Sequence, residues 1–139
     1  MDAYVKSAMT LTHAGALAVV HGAVGKAVEM NVPQCIAVVD GGGNLLAFVR
    51  MDGAKVLSQH TATQKAVTAA TTRAPTGNAP DDHALKLALA SGLRVTNLKG
   101  GLPIVIDGHI VGGIGVGSGT GDEDVAVAQA GIAALGAGR

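Results

Sequence analysis

Residues 36–50 read IAVVDGGGNLLAFVR, two apolar runs of strand length joined by the turn sequence DGGGN. Asp, Asn and Gly tolerate the backbone angles of tight turns, so this stretch predicts a β-hairpin with strands over residues 34–39 and 45–50. After a break at residues 51–54, the sequence predicts a helix over residues 55–71.

Residues 102–116 read LPIVIDGHIVGGIGV and predict a second hairpin that turns at Asp107-Gly108. Apolar spacing and end signals predict helices over residues 7–30, 81–90 and 122–136, whereas residues 93–98 fit either a loop or a short edge strand. The order helix, hairpin, helices, hairpin, helix predicts an α+β fold, an antiparallel sheet with helices on its faces. A chain of 139 residues is expected to form one domain over residues 1–139.

The composition is strongly apolar, with 48% hydrophobic, 14% charged and only 1% aromatic residues. Apolar surface in such excess predicts a homo-oligomer. The formal net charge is zero, and with almost no aromatic residues for stacking we expect no nucleic-acid binding. The apolar run over residues 14–20 is too short to span a bilayer and no leader pattern precedes it, so we expect no membrane partner and a cytoplasmic location.

Residues 112–119 read GGIGVGSG, which suggests a phosphate-binding loop but lacks the spacing of a dinucleotide fingerprint. One interpretation is a strand whose glycines allow a helix or ligand to come close. The other is that the backbone amides of Gly117, Ser118 and Gly119, just before a predicted helix, hold an anionic group.

Two histidines on the first predicted helix are candidate metal ligands. His13 and His21 lie eight residues apart, which places both within about 80° of one helix face. A single imidazole suffices to ligate a haem iron, so either can serve as an axial ligand. The alternative is that one lies on the polar border of the helix and the other in a contact between subunits.

A polar stripe on the second predicted helix carries His60, Gln64, Lys65 and Thr68. A cavity that joined this stripe to Arg50 would attract carboxylates, such as haem propionates or a small oxo-acid. The alternative is a helix face that only meets solvent. The lone cysteine, residue 35, is expected to be a small core residue.

An enzyme acting on an oxo- or hydroxy-acid is the alternative to a binding protein. In that case His60 or Asp40 is the general base, Arg50 binds the carboxylate and Lys65 stabilises developing negative charge. Asp40 is also well placed simply to shape the hairpin turn.

The two glycine-rich hairpins, with the helix element Lys65-Ala66-x-Thr68-Ala69 between them, resemble the GlcG/HbpS-like family over about residues 11–135. That family includes haem-binding HbpS, the C-terminal domain of PduO-type proteins, and GlcG proteins encoded with catabolic enzymes. The resemblance implies a profilin-like sheet flanked by helices, a homo-oligomer that is often an octamer, haem binding in some members, and an accessory role in catabolism for others. It also implies that His21 or His13 matches a haem-ligating histidine of PduO-like domains, and that Thr120 is nearest to a threonine implicated in HbpS.

Overall fold

The computed structural model describes residues 3–137, which form four α-helices and one antiparallel sheet of four strands. The helices are α1 (His13–Met30), α2 (Leu57–Thr72), α3 (Asp81–Ala90) and α4 (Gly121–Ala137). The strands are β1 (Cys35–Asp40), β2 (Leu45–Arg50), β3 (Gly101–Ile106) and β4 (His109–Gly117), in the sheet order β2-β1-β4-β3. The predicted α+β class is confirmed.

Both predicted hairpins are present, and β1 and β4 join them at the centre of the sheet. In the first turn, Asp40 Oδ1 accepts hydrogen bonds from the backbone N–H groups of Gly42 at 2.9 Å and Asn44 at 3.0 Å. The carboxylate thereby replaces backbone partners that the turn residues lack.

The helices divide between the two faces of the sheet because β1 alternates its side chains. Ile36 and Val38 point into a core shared with α1 and α4. Cys35, Ala37 and Val39 point into a second, smaller core against α2, and the prediction that Cys35 is a core residue is confirmed. α1 and α2 therefore lie on opposite sides of the sheet.

α1 begins at His13, six residues later than predicted. The hydroxyl of Thr12 caps the helix by accepting a hydrogen bond from Gly15 N at 3.1 Å. Just before it, the N–H of Leu11 donates to the carbonyl of Val111 on β4. This bond holds the preceding segment to the sheet, which stops the helix from extending toward the N-terminus.

The buried face of α1 consists of Ala16, Val19, Ala23 and Ala27. The opposite face of α1, which includes Leu17, His21 and Val28, is exposed. Small residues are buried here because α1 and α4 pack closely: a Cβ built on Gly22 would lie 2.7 Å from Ala134 Cβ.

Residues 93–100 contain no strand, so the edge-strand alternative is wrong. Side chains hold this segment instead: Thr68 Oγ1 accepts from Thr96 N at 2.9 Å, and Asn97 Nδ2 donates to Ala79 O at 2.7 Å. Among the helices within residues 3–137, none has both the length and the apolar character needed to cross a membrane.

Candidate functional site

The glycines of β4 bring α2 into direct contact with the backbone of the sheet. A Cβ at Gly115 would collide with two backbone atoms of α2, Ala62 O and Ala66 N. Gly113 and Gly117, on the same side of the strand, face the same helix, whereas Ile114 and Val116 point into the opposite core. The run is therefore a strand on which a helix packs closely, the first of the two interpretations.

Lys65 of α2 lies at the edge of this interface, beside the end of β4, and is almost completely buried. Its Nζ donates to the carbonyl of Val116 at 2.7 Å and to Asp124 Oδ2 at 3.1 Å. The side chains of Lys65 and Asp124 are 6% and 3% exposed. This ion pair ties α2 on one face of the sheet to α4 on the other.

Burial raises the pKa of the Asp124 carboxyl above its ordinary value, while the Lys65 ammonium and the Gly119 N–H act in the opposite direction. Removing two charges from water is costly, and the pair recovers that cost only through good geometry and further hydrogen bonds. Gly119 N supplies one of these by donating to Asp124 Oδ1 at 3.1 Å.

The β4–α4 loop uses several of its polar groups within the chain. Thr120 and Glu123 form a capping box: Thr120 N donates to Glu123 Oε1 at 2.8 Å, and Glu123 N donates to Thr120 Oγ1 at 3.2 Å. The hydroxyl of Ser118 accepts a hydrogen bond from Lys55 N at 2.9 Å. The amides of Gly119 and Thr120 thus already have acceptors within the described chain.

Gly119 has a packing reason to be glycine. A Cβ at this position would lie 2.6 Å from Nε2 of Gln34 and 3.0 Å from Asp124 Oδ1. Gln34 is completely buried, and its side-chain amide makes no hydrogen bond with the described part of the chain. The missing side chain at 119 makes room for this amide next to the ion pair.

A cleft of about 390 Å³ lies between the start of α2 and the β4–α4 loop. It brings together Lys65, Ser118 and Gly119 from the sequence prediction. Four further polar residues of its lining were not predicted from the sequence: Lys55, Ser58, Lys99 and Asp124. Three lysines and two serines line the cleft together with the Asp124 carboxylate, which is paired with Lys65, so the lining has an excess of positive charge that suits an anion.

Arg50 and Asp40 lie outside this cleft, at opposite ends of the first hairpin. Arg50 is paired with Cys35 in the β1–β2 register and is exposed. Burial raises the pKa of the Cys35 thiol, and the Arg50 charge partly offsets that effect. Asp40 ends β1 some five residues away, about 17 Å along a strand, and its carboxylate is engaged in the turn.

The polar stripe of α2 divides between two surroundings. Gln64 Nε2 donates a hydrogen bond to the carbonyl of Leu93 at 2.5 Å, and Thr68 Oγ1 accepts one from Thr96 N at 2.9 Å. His60 is exposed at a separate groove beside Leu93 and Arg94. The structure therefore separates His60 from the Lys65 cleft.

His13 and His21 are both exposed on α1, across the sheet from α2. Eight residues of helix separate them by about 12 Å, too far to share one ion. Within residues 3–137, no three His, Cys, Asp or Glu side chains come together as a metal site. Each histidine can therefore act only as a single ligand to a metal that is otherwise held, as haem iron is.

The chain is a small α+β protein: helices flank both faces of an antiparallel sheet, α1 exposes two histidines, and lysines line the cleft at the start of α2. The sequence matches the family described as Haem degrading protein HbpS-like over residues 11–133, and the chain belongs to this family. The predicted family resemblance is confirmed.

Similar proteins agree with this assignment. Protein GlcG of Escherichia coli K12 is 36% identical over 113 residues, which are 81% of this chain and 84% of GlcG. A double mutant of HbpS from Streptomyces reticuli has a similar structure, with a TM-score of 0.84, 34% identity and coverage of 95% and 91% of the two chains. PduOC in a haem complex gives a TM-score of 0.81 at 27% identity, with coverage of 91% and 95%.

Proposed function

We propose that this protein binds haem on the exposed face of α1, with His21 as the axial ligand. The observation that carries the proposal is an imidazole exposed within an apolar helix face. Leu17, one turn before His21, is 49% exposed, and Val28, two turns after it, is 64% exposed. Large apolar side chains exposed around a metal-ligating group are typical of a binding surface.

The space around His21 suits a flat, apolar ring. Gly25 lies one turn beyond His21, and a Cβ built there would meet no atom within 4 Å. Leu17 and Val28 supply aliphatic contacts in place of aromatic side chains, which are scarce in this sequence. A bound haem would supply an iron centre, and this chain would supply the imidazole and the apolar support.

The similar proteins support haem as the ligand. The structure of PduOC is that of a haem complex, and this chain aligns with it over 91% of its length. His13 is the second choice for the ligand because its helix neighbours include fewer large apolar side chains.

We also propose that the protein functions as a homo-oligomer. A haem lying on α1 alone would leave one side in water, and a second subunit would cover it. Exposed leucines on α3, Leu85 and Leu89, add apolar surface that an assembly would bury. Light scattering at micromolar concentration is expected to give a multiple of the 13.6 kDa chain mass, and a monomer would contradict the proposal.

Haemin titration followed by absorbance tests the haem proposal. We expect a saturable Soret shift in the unmodified protein and binding at least about tenfold weaker in His21→Ala. His109→Ala, which removes an exposed histidine at the β3–β4 turn, is the matched control and should leave the titration unchanged.

Two outcomes would contradict this proposal in different ways. A featureless titration of the unmodified protein would exclude haem as the ligand. A normal titration of His21→Ala would retain haem and transfer the ligand role to another residue, with His13→Ala as the next variant to measure.

A further inference from the structure

We propose that the cleft between the start of α2 and the β4–α4 loop binds a small organic dicarboxylate. This site lies on the α2 side of the sheet and is independent of the haem proposal. Its polar lining consists of Lys55, Ser58, Lys65, Lys99, Ser118 and Asp124.

The position of Ser58, almost completely buried yet lining the cleft, points most directly to a ligand. The residue is only 5% exposed, yet its hydroxyl makes no hydrogen bond with any residue of the described chain. It lies in the first turn of α2 and lines the cleft. The hydroxyl is not among the fully buried unsatisfied atoms of the described chain, so it is reached from the cleft, where it can donate to a bound acceptor.

Lys65 offers a further donor to the same space. An ammonium group carries three N–H donors, and the carbonyl of Val116 and the carboxylate of Asp124 take two of them. Lys65 also lines the cleft, so its third N–H can be donated to a bound carboxylate. The existing ion pair holds this ammonium in place before any ligand arrives.

Ser118 completes the donor set, and the start of α2, whose Ser58 and Gln59 amides donate within the chain, contributes its helix dipole. The hydroxyl of Ser118 accepts from Lys55 N, which leaves its own hydrogen free to be donated. No side chain in the described residues caps the N-terminus of α2, and its first turn contains no acidic residue. The positive end of this helix therefore adds to the attraction for an anion.

The balance of charge favours two negative groups. Lys55 forms no ion pair with any described residue, and Lys99 pairs only with Asp122, whose side chain is largely exposed. An exposed ion pair of this kind contributes little to folding stability, so Lys99 can bind a ligand in place of Asp122 with little loss of stability. With Lys65 already balanced by Asp124, two ammonium groups remain for two carboxylates.

Isothermal titration calorimetry with malonate and succinate tests this assignment, with acetate and inorganic phosphate as comparison probes. We expect a dicarboxylate to bind saturably, more tightly than acetate or phosphate, and more weakly as salt is added. Lys55→Gln should weaken binding by about tenfold or more, since it removes a charged hydrogen-bond donor. Ser58→Ala should also weaken it, with no change in salt dependence.

Lys86→Gln on α3 is the matched control because it removes an exposed lysine outside the cleft. Equal affinities of Lys55→Gln and Lys86→Gln would overturn the site. No saturable heat with either dicarboxylate up to about 10 mM would overturn it as well. Tighter binding of phosphate would overturn the carboxylate assignment, and an unchanged haemin titration of Lys55→Gln would confirm that the two sites are separate.

Discussion

The two faces of the sheet are packed by different means. On the α1 and α4 face, branched side chains such as Ile36, Ile114 and Val116 fill the space between sheet and helices. On the α2 face, glycines of β4 meet the helix backbone directly, and the residues of α2 that face them are mainly alanines. One face relies on side-chain volume, the other on backbone proximity.

This difference explains why the polar chemistry lies on the α2 face. A helix held close to the sheet leaves little room for long side chains in the middle of the interface. Lys65 can extend only at its margin, where the end of β4 meets Asp124. Close backbone packing thus places a buried ammonium beside a cleft, whereas the opposite face has a fully apolar core and exposes its histidines on the outside of α1.

The largest effect is expected from a side chain added between β4 and α2. Gly115→Val would place a Cβ against the backbone atoms Ala62 O and Ala66 N, which cannot move without displacing the helix. We expect the free energy of unfolding in urea to fall by about 4 kcal/mol or more.

Gly25→Ala is the matched control on the opposite face, because a Cβ there meets nothing within 4 Å. Replacing a helical glycine by alanine should raise the free energy of unfolding by about 0.5–1 kcal/mol. Similar losses in both variants would show that the two faces do not differ in the way described.

The next effect concerns the buried ion pair. Lys65→Met leaves the Asp124 carboxylate buried without its partner, and we expect a loss of about 3 kcal/mol in the free energy of unfolding. The double variant Lys65→Met/Asp124→Leu removes both charges and should recover most of that loss. If the double variant were as unstable as the single one, the lysine would act through packing rather than through charge.

Much of the fold could be predicted because its signals are local. Alternating apolar residues around DGGGN and DG specify the two hairpins. The start of α1 was placed six residues too early because Thr12, which caps the helix, was not recognised as its boundary. The orientation of α1 could not be predicted in this way. Small apolar residues occur on all sides of that helix, so periodicity alone could not choose between Ala16 and Leu17 as the buried position.

The candidate site was only half predictable for a related reason. Lys65, Ser118 and Gly119 were predicted as site residues from the sequence, whereas Asp124 was not. A signal was present: Asp124, Val127, Ala128 and Gly131 follow the spacing of one buried helix face. Lys55 and Ser58 carry no such pattern, because only the fold brings the start of α2 to the β4–α4 loop.

The smallest expected effect is a pH dependence that distinguishes the buried pair from the exposed one. Burial raises the folded-state pKa of Asp124, so the folded protein holds this proton to a higher pH than the unfolded chain does. Its contribution to stability is therefore present below the unfolded pKa and is lost as pH rises through the folded value. Relative to the double variant Lys65→Met/Asp124→Leu, the wild type should become less stable as the pH rises above the ordinary pKa of an aspartate, about 4.

Asp122 should show the opposite sign. Its hydrogen bond and charge interaction with Lys99 lower the pKa of the Asp122 carboxyl, so the stabilisation is present above the unfolded pKa and is lost as pH falls through the folded value. Because this pair is exposed, Asp122→Asn should change the urea midpoint only slightly, and only at low salt. The two comparisons are the wild type against Lys65→Met/Asp124→Leu and the wild type against Asp122→Asn. If the difference in unfolding free energy changed with pH in the same direction in both, burial would not be what governs the pKa of Asp124. Its ion pair with Lys65 would then behave like one at the surface.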